Sequence, residues 1–237
     1  MRILKAFTFV AVAGALVAGA AQAQLPTATG SAWLTGVNGS YWNYVAPPIG
    51  EYTAPYFMRF QIPTLPTNQM LLPPAGTSTW GPTTDIFCVD LYNNIGIGDQ
   101  YRANFTNLTN TAAIGVATRL RTLTQYLEAA YLAEKIELGA NKNLYTGAIW
   151  NIMTGNPVTY AVSGDIQLVV ADAVANYGSV VASQWVVVTD VNAAGSNTGG
   201  KQEFLTHVTP EPATLLLLGT GLIATLMAAG AFRRSAV

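Results

Sequence analysis

Asp85-Ile86-Phe87-Cys88-Val89-Asp90-Leu91 is a seven-residue, mostly apolar run, too short for a globular helix and rich in strand formers. The run Tyr56-Phe57-Met58-Arg59-Phe60-Gln61-Ile62 has the same character. Around both, residues 24–109 are punctuated by Pro and Gly, which argues for short strands joined by loops and against helices. The Pro-rich segment from Pro63 to Pro74 reads as a long loop or an edge.

The pattern changes to helical period after Asn110. Leu120, Leu123, Leu127, Ala130, Tyr131 and Ile136 recur at three- and four-residue steps and predict a helix over 111–138, with Asn110-Thr111 as cap and Gly139 as stop. On it, Glu128, Glu134, Lys135 and Glu137 are expected on the solvated face. Shorter helices are expected over 144–153, ended by Gly155-Asn156-Pro157, and over 165–177, stopped by Gly178. Gln184 to Thr189 reads as a buried strand, and Glu203 to Val208 as a last one after a Gly/Asn/Ser loop. No internal repeat of fixed period is present. The expected fold is α+β: a single β-rich domain over 24–209, sandwich or barrel-like, with a small helical layer, followed by a C-terminal transmembrane helix.

The ends account for an odd composition. Of 237 residues, 51% are apolar and only 10% charged, against a usual charged share of about 25%. Arg2 and Lys5, an apolar run to Ala20 and the small-x-small site Ala21-Gln22-Ala23 make residues 1–23 a secretory signal for signal peptidase. From Ala213 to Phe232 there are 20 residues without a charge, followed at once by Arg233 and Arg234. That length matches a bilayer core of about 30 Å, and the Arg pair is the stop that keeps the C-terminus cytoplasmic. Without the two ends the body is about 47% apolar, an ordinary value, yet still only about 10% charged. Its polarity comes from 23 Thr and 15 Asn. With 11 basic against 12 acidic residues in the chain, there is no electrostatic footprint for nucleic acid. One His and one Cys exclude most His/Cys metal sites and any intrachain disulfide; no cofactor is expected.

Pro210-Glu211-Pro212, an apolar span and a basic stop, in that order over residues 210–237, resemble the PEP-CTERM sorting tail, also known as the C-terminal domain of "ice-binding" proteins. No regular Thr-x-Thr repeat accompanies it here. The resemblance implies recognition by exosortase, a membrane-embedded transpeptidase or protease of exopolysaccharide-producing bacteria. It implies anchoring in the cytoplasmic membrane through the helix at 213–232, then a cell-surface or matrix location after processing. The two prolines bias the motif to an extended form that a protease can bind directly.

In the body, Phe87-Cys88-Val89-Asp90-Leu91-Tyr92-Asn93, the helix Ala129 to Ile136 and Gly147-Ala148-Ile149-Trp150-Asn151-Ile152-Met153 resemble PEP-CTERM surface proteins and, through them, thioester domains of adhesins. In those domains a Cys bonds to a Gln just before an Ala-Ile-Trp helix. Cys88 matches the Cys, but Thr146 stands where the Gln is expected and has no carboxamide to acylate a thiol. The resemblance therefore implies a fold and not the covalent chemistry.

Other candidates are weaker. Cys88 is the one possible reactive thiol, although a Cys in an apolar strand usually behaves as a small hydrophobe, and His207 lies far from it in sequence. Asp85, Asp90 and Asp99 could be imagined as glycosidase carboxylates, but on an alternating strand Asp85 and Asp90 face opposite ways. Asp190-x-Asn192-x-x-Gly195 resembles a calcium loop without its closing acid. Trp33, Tyr41, Trp42, Tyr44, Tyr52, Tyr56 and Phe57 crowd the N-terminal third, as core or as a sugar-stacking face, and Asn38, Asn104 and Asn107 open glycosylation sequons. The expectation is an exported, non-enzymatic protein, structural or adhesive in the extracellular polysaccharide layer. The alternatives are an envelope-associated enzyme acting on polysaccharide and a covalent adhesin using Cys88.

Overall fold

The run at 85–91 forms a strand, but it leaves its ladder at Val89, three residues earlier than its apolar character suggests. The computed structural model describes residues 28–37, 41–43, 50–52, 55–61, 80, 83–155 and 163–208. Its strands are β1 (Ala28–Val37), β2 (Tyr41–Asn43), β3 (Gly50–Tyr52), β4 (Tyr56–Gln61), β5 (Thr84–Cys88), β6 (Gln100–Asn107), β7 (Trp185–Asp190) and β8 (Phe204–His207). Its helices are α1 (Leu123–Glu137), α2 (Lys142–Thr154) and α3 (Ser163–Asn176). Six strands close into an antiparallel barrel in the order β1-β4-β5-β8-β7-β6, and β2 and β3 form a separate hairpin. Among the two all-β layouts expected, the barrel is the one present, and its helical layer makes the class α+β.

Ring contacts identify the inside of the barrel. Tyr56 meets Phe204 at 5.6 Å across the intervening β5, and Phe60 meets Phe105 at 5.3 Å across β1. The inward positions of β1 are small to make room for them: Ala28, Gly30 and Ala32, with Leu34 closing the row, are all buried. Each fully buried Phe or Met here, such as Phe60 and Met58, contributes roughly 1.5–3 kcal/mol by leaving water. A bulge between Leu34 and Gly36 shifts the β1–β4 register, as barrel closure commonly requires.

The outer faces of β5, β8 and β7 are covered as well. Phe87 and Trp185 lie 6.1 Å apart across β8, both buried, and β7 is buried at all six positions. Helix α1 lies over them: Tyr126, Ala129, Ala130, Leu132, Ala133 and Ile136 face inward, and the Trp185 indole N–H donates to Glu134 at 3.2 Å. Helix α2 packs against α1 and α3 against α2; Tyr131 on α1 donates its hydroxyl to Asp172 on α3 at 2.9 Å.

The helix expected over 111–138 is shorter. It begins at Leu123, capped by Thr122, whose hydroxyl accepts from the Gln125 N–H while the Gln125 side chain accepts from the Thr122 N–H. Residues 111–117 are turns: Gly115 sits at φ +77° and its N–H donates to the Thr118 hydroxyl. Leu120, read as part of the apolar stripe, is 54% exposed. Glu128, expected in solvent, is buried. Helix α2 spans the expected 144–153 with a turn more, between Asn141, which accepts from the Asn143 and Leu144 N–H groups, and Gly155, a left-handed cap at φ +66°. Helix α3 covers 163–176 instead of 165–177.

Closure by antiparallel pairs alone sorts the strand ends onto two rims. At one, β8, β6 and β4 end while β1, β5 and β7 begin, so that Trp185 faces His207 and Ala28 faces Phe105. This His207 rim carries both ends of the described barrel. The opposite, Asp90 rim holds the turns after β5 and β7 and the β2–β3 hairpin.

Candidate functional site

The Asp90 rim holds a cluster of buried, bonded polar groups, Arg119, Asp90 and Glu203. Arg119, 1% exposed, approaches Asp90 with Nε 2.7 Å from Oδ2; the contact lies off the N–H axis and is ionic in character. Its Nη2 donates to the carbonyls of Gly199 and Lys201, both at 2.9 Å, while Nη1 is buried without a partner. Its backbone N–H donates to Glu203 Oε1 at 2.9 Å. Glu203, fully buried, also accepts from Thr189 at 2.6 Å and from the Tyr126 hydroxyl at 2.7 Å. Asp90 accepts from both the Asn93 amide and the Tyr92 N–H. One residue of the 108–122 segment thus ties together the turn after β5, the loop before β8 and the start of α1. In a chain this poor in charge, three charged groups are spent inside the rim.

Burial pushes the Glu203 carboxyl above the usual carboxylate range, against the pull of the Thr189, Arg119 N–H and Tyr126 donors. Burial likewise outweighs Arg119 and raises Asp90. The Tyr126 phenol is raised by burial and by Glu203. Further out on the rim, the Lys201 ammonium bonds Asp99 at 2.7 Å and holds that half-buried carboxylate low. Neither Arg119 nor Glu203 was singled out by sequence reasoning. The available signal was a carboxylate, Glu203, set directly against an apolar strand in a chain with few charges.

Cys88 is fully buried at this end of β5 and unbridged; its thiol donates to the Asp90 carbonyl at 3.2 Å. The Trp150 indole N–H donates to the Cys88 carbonyl at 3.1 Å, so the strand and the Ala148-Ile149-Trp150 helix noted in the sequence do meet. Thr146 is also buried, one turn before Trp150. His207 does not approach Cys88. The β5–β8 register pairs Cys88 with Phe204 and Ile86 with Thr206, leaving His207 at the far end of the ladder.

The carboxylates read as a possible pair are separated. Asp85 is exposed and Asp90 is buried against Arg119. Asp190 accepts from the Asn192 N–H and amide through Oδ1 and from the Lys201 N–H through Oδ2, the work of a turn-forming Asp. Among the described residues, no group of three or more His, Cys, Asp or Glu is placed to hold a metal. The N-terminal aromatics divide. Tyr56 is core, whereas Trp33 lies half-buried on the outer wall, edge-on to Trp80 at 5.6 Å with the Arg59 guanidinium 5.8 Å above its ring. Asn107 is buried, donating to the Ser183 carbonyl and accepting from Thr109, so its sequon is closed in the folded state.

At the His207 rim, His207 stacks on Trp185 at 4.8 Å and pairs with Glu137 at 3.0 Å, which raises its pKa. The next residue, Val208, is buried and donates its N–H to the Gln184 carbonyl at 2.7 Å. The barrel ends there.

The expected signal at 1–23, the segment Pro63 to Pro74, Tyr44, the Asn38 sequon, the motif Pro210, Glu211 and Pro212, the span 213–232 and the stop at Arg233 and Arg234 lie outside the described residues. Among the described residues no helix is long and apolar enough to cross a membrane. A family model described as the PEP-CTERM protein-sorting motif matches residues 208–234. No curated protein and no solved structure matches the chain. The match starts at Val208, the residue on which the barrel closes, and it marks the chain as an exported, exosortase-targeted protein.

Proposed function

We propose that this is a cell-surface protein whose barrel is carried to the outer face of the cytoplasmic membrane, held there by residues 213–232, and released or transferred by exosortase at Pro210-Glu211-Pro212. Signal peptidase removes residues 1–23. The barrel then serves a structural or adhesive role, without catalysis, in the extracellular polysaccharide layer.

The observation that carries this reading is the sorting motif itself, spanning 208–234 directly behind the last strand. The adhesive part draws support from the body's composition, with about 10% charge and a surface of hydroxyls and amides. Such a surface suits neutral, hydrogen-bonding partners more than charged ones. The half-exposed Trp33–Trp80 pair supplies aromatic rings of the kind that stack on sugars.

The test is the Pro210→Ala/Glu211→Ala double variant in a producing cell. Loss of surface release, with accumulation of the longer membrane form, is expected. Unchanged release and unchanged size would remove exosortase from the account. Retention of the released barrel on the producer's own polysaccharide, undiminished by high salt, is the matching expectation for its role.

A further inference from the structure

Four residues, Thr209, Pro210, Glu211 and Pro212, separate the buried Val208 from the apolar run that starts at Ala213. Fully extended, the step from 208 to 213 covers at most about 17 Å. The headgroup layer alone takes about 5–7 Å of that on each side of a bilayer. At most about 10–12 Å is left, so the barrel cannot stand far off from the membrane, and its attachment point is fixed by the Val208 N–H bond to Gln184 at the His207 rim.

We infer that the unprocessed protein stands end-on, with the His207 rim against the lipid headgroups and the Asp90 rim turned outward. The inference rests on the proposed reading that residues 213–232 span the membrane. Strand β6 is eight residues long, so at about 3.3 Å per residue and a barrel tilt near 40° the outer rim lies roughly 20 Å further away. The side chains agree with this placement. Leu138, at the end of α1 beside the Glu137–His207 pair, is 82% exposed, and Val181, just before β7, is 50% exposed. Both project from the inner rim, where they can enter the headgroup boundary. The outward rim then presents the clasped turns 91–99, 115–121 and 191–203 to whatever lies beyond the cell. Its exposed Tyr92, Ile97, Val116 and Leu120 stand among Asn, Ser, Thr and Gly, with Arg121 and the Lys201–Asp99 pair as charged neighbours. The interior bonds of Arg119 hold that surface in shape.

The experiment uses the full unprocessed chain, purified from cells lacking exosortase and placed in phosphatidylethanolamine–phosphatidylglycerol vesicles. Single cysteines carrying an environment-sensitive dye are introduced as Leu138→Cys and Val181→Cys on the inner rim and Ile97→Cys and Leu120→Cys on the outer one. Leu168→Cys on α3 tests a side-on posture, and the parent chain with its buried Cys88 gives the blank. Spin-labelled headgroup lipids are expected to quench both inner-rim dyes several-fold more than the outer-rim and α3 dyes. Equal quenching at the two rims, or strongest quenching at Leu168→Cys, overturns the end-on posture while leaving the membrane anchor intact. Extraction of the chain by alkaline carbonate overturns the anchor itself and the posture with it.

Discussion

Replacing Arg119 by Met tests whether the Asp90 rim depends on one buried guanidinium. The substitution keeps length and apolar bulk but removes the ionic contact to Asp90 at 2.7 Å and the donors to Gly199 and Lys201, both at 2.9 Å. Asp90 is 3% exposed and cannot recover its charge balance from water. Removing one partner of such a pair costs about 3–5 kcal/mol, a large share of the 5–15 kcal/mol that typically holds a domain together. For a chain of this size, that is a fall in Tm of about 6–20 °C. Urea unfolding followed by tryptophan fluorescence gives the free energy directly, because Trp150 and Trp185 are both buried. The Arg119→Met/Asp90→Asn double variant should be less destabilised than the sum of the two single changes, by about 1.5 kcal/mol or more, since no unpaired carboxylate remains. A cost for Arg119→Met below about 1 kcal/mol, or strict additivity with Asp90→Asn, would refute the reasoning.

Two further outcomes follow from the same geometry. Asp90 and Glu203 are raised by burial, so between their ordinary and their raised values the folded chain holds protons that the unfolded chain has released. Their contribution therefore falls as pH rises from their ordinary values through the raised ones. His207, raised by Glu137, stabilises fully below 6.5 and loses its contribution as pH rises through its folded value. The urea midpoint is thus expected to be higher at pH 5 than at pH 8, with Glu203→Gln flattening the acidic limb and His207→Gln the neutral one; a midpoint that rises with pH in the parent protein contradicts these assignments. Trp150→Phe loses the indole bond to the Cys88 carbonyl at 3.1 Å. It should cost about 2 kcal/mol and speed labelling of the buried Cys88 thiol under native conditions; an unchanged labelling rate would mean that this bond does not hold the end of β5.

What the sequence conceals in this fold has physical causes. Strands β4, β5, β7 and β8 are legible because their residues are large and apolar. Strand β1 is not, since its inward row of Ala28, Gly30 and Ala32 is dictated by the aromatic rings opposite and has poor strand propensity of its own. The false first part of the long helix is the reverse case. Residues 111–122 carry helical spacing, but the Gly115 N–H is taken by Thr118 and the Arg119 N–H by Glu203. A local side-chain bond and a tertiary one replace the helix ladder there, and the tertiary partner Glu203 is announced by no local pattern. The same is true of the Arg119 group, whose members lie up to 113 positions apart, from Asp90 to Glu203. By contrast the sorting motif is a contiguous stretch read from end to end, which is why it was fully visible without coordinates.

The placement of β8 has a mechanical consequence. Being the last strand yet lying between β5 and β7, it is the piece that completes the barrel, so the barrel closes only once residues 204–207 have arrived on the outer side. Because the tail continues from its end, a pull on the tail runs along the axis of β8. It loads both neighbouring ladders in shear, three residue pairs with β5 and four with β7, which must slide together and cannot open one at a time. A tug directed across the strand would meet only one pair at a time. The tail is therefore joined to the body in the direction in which a sheet is hardest to tear.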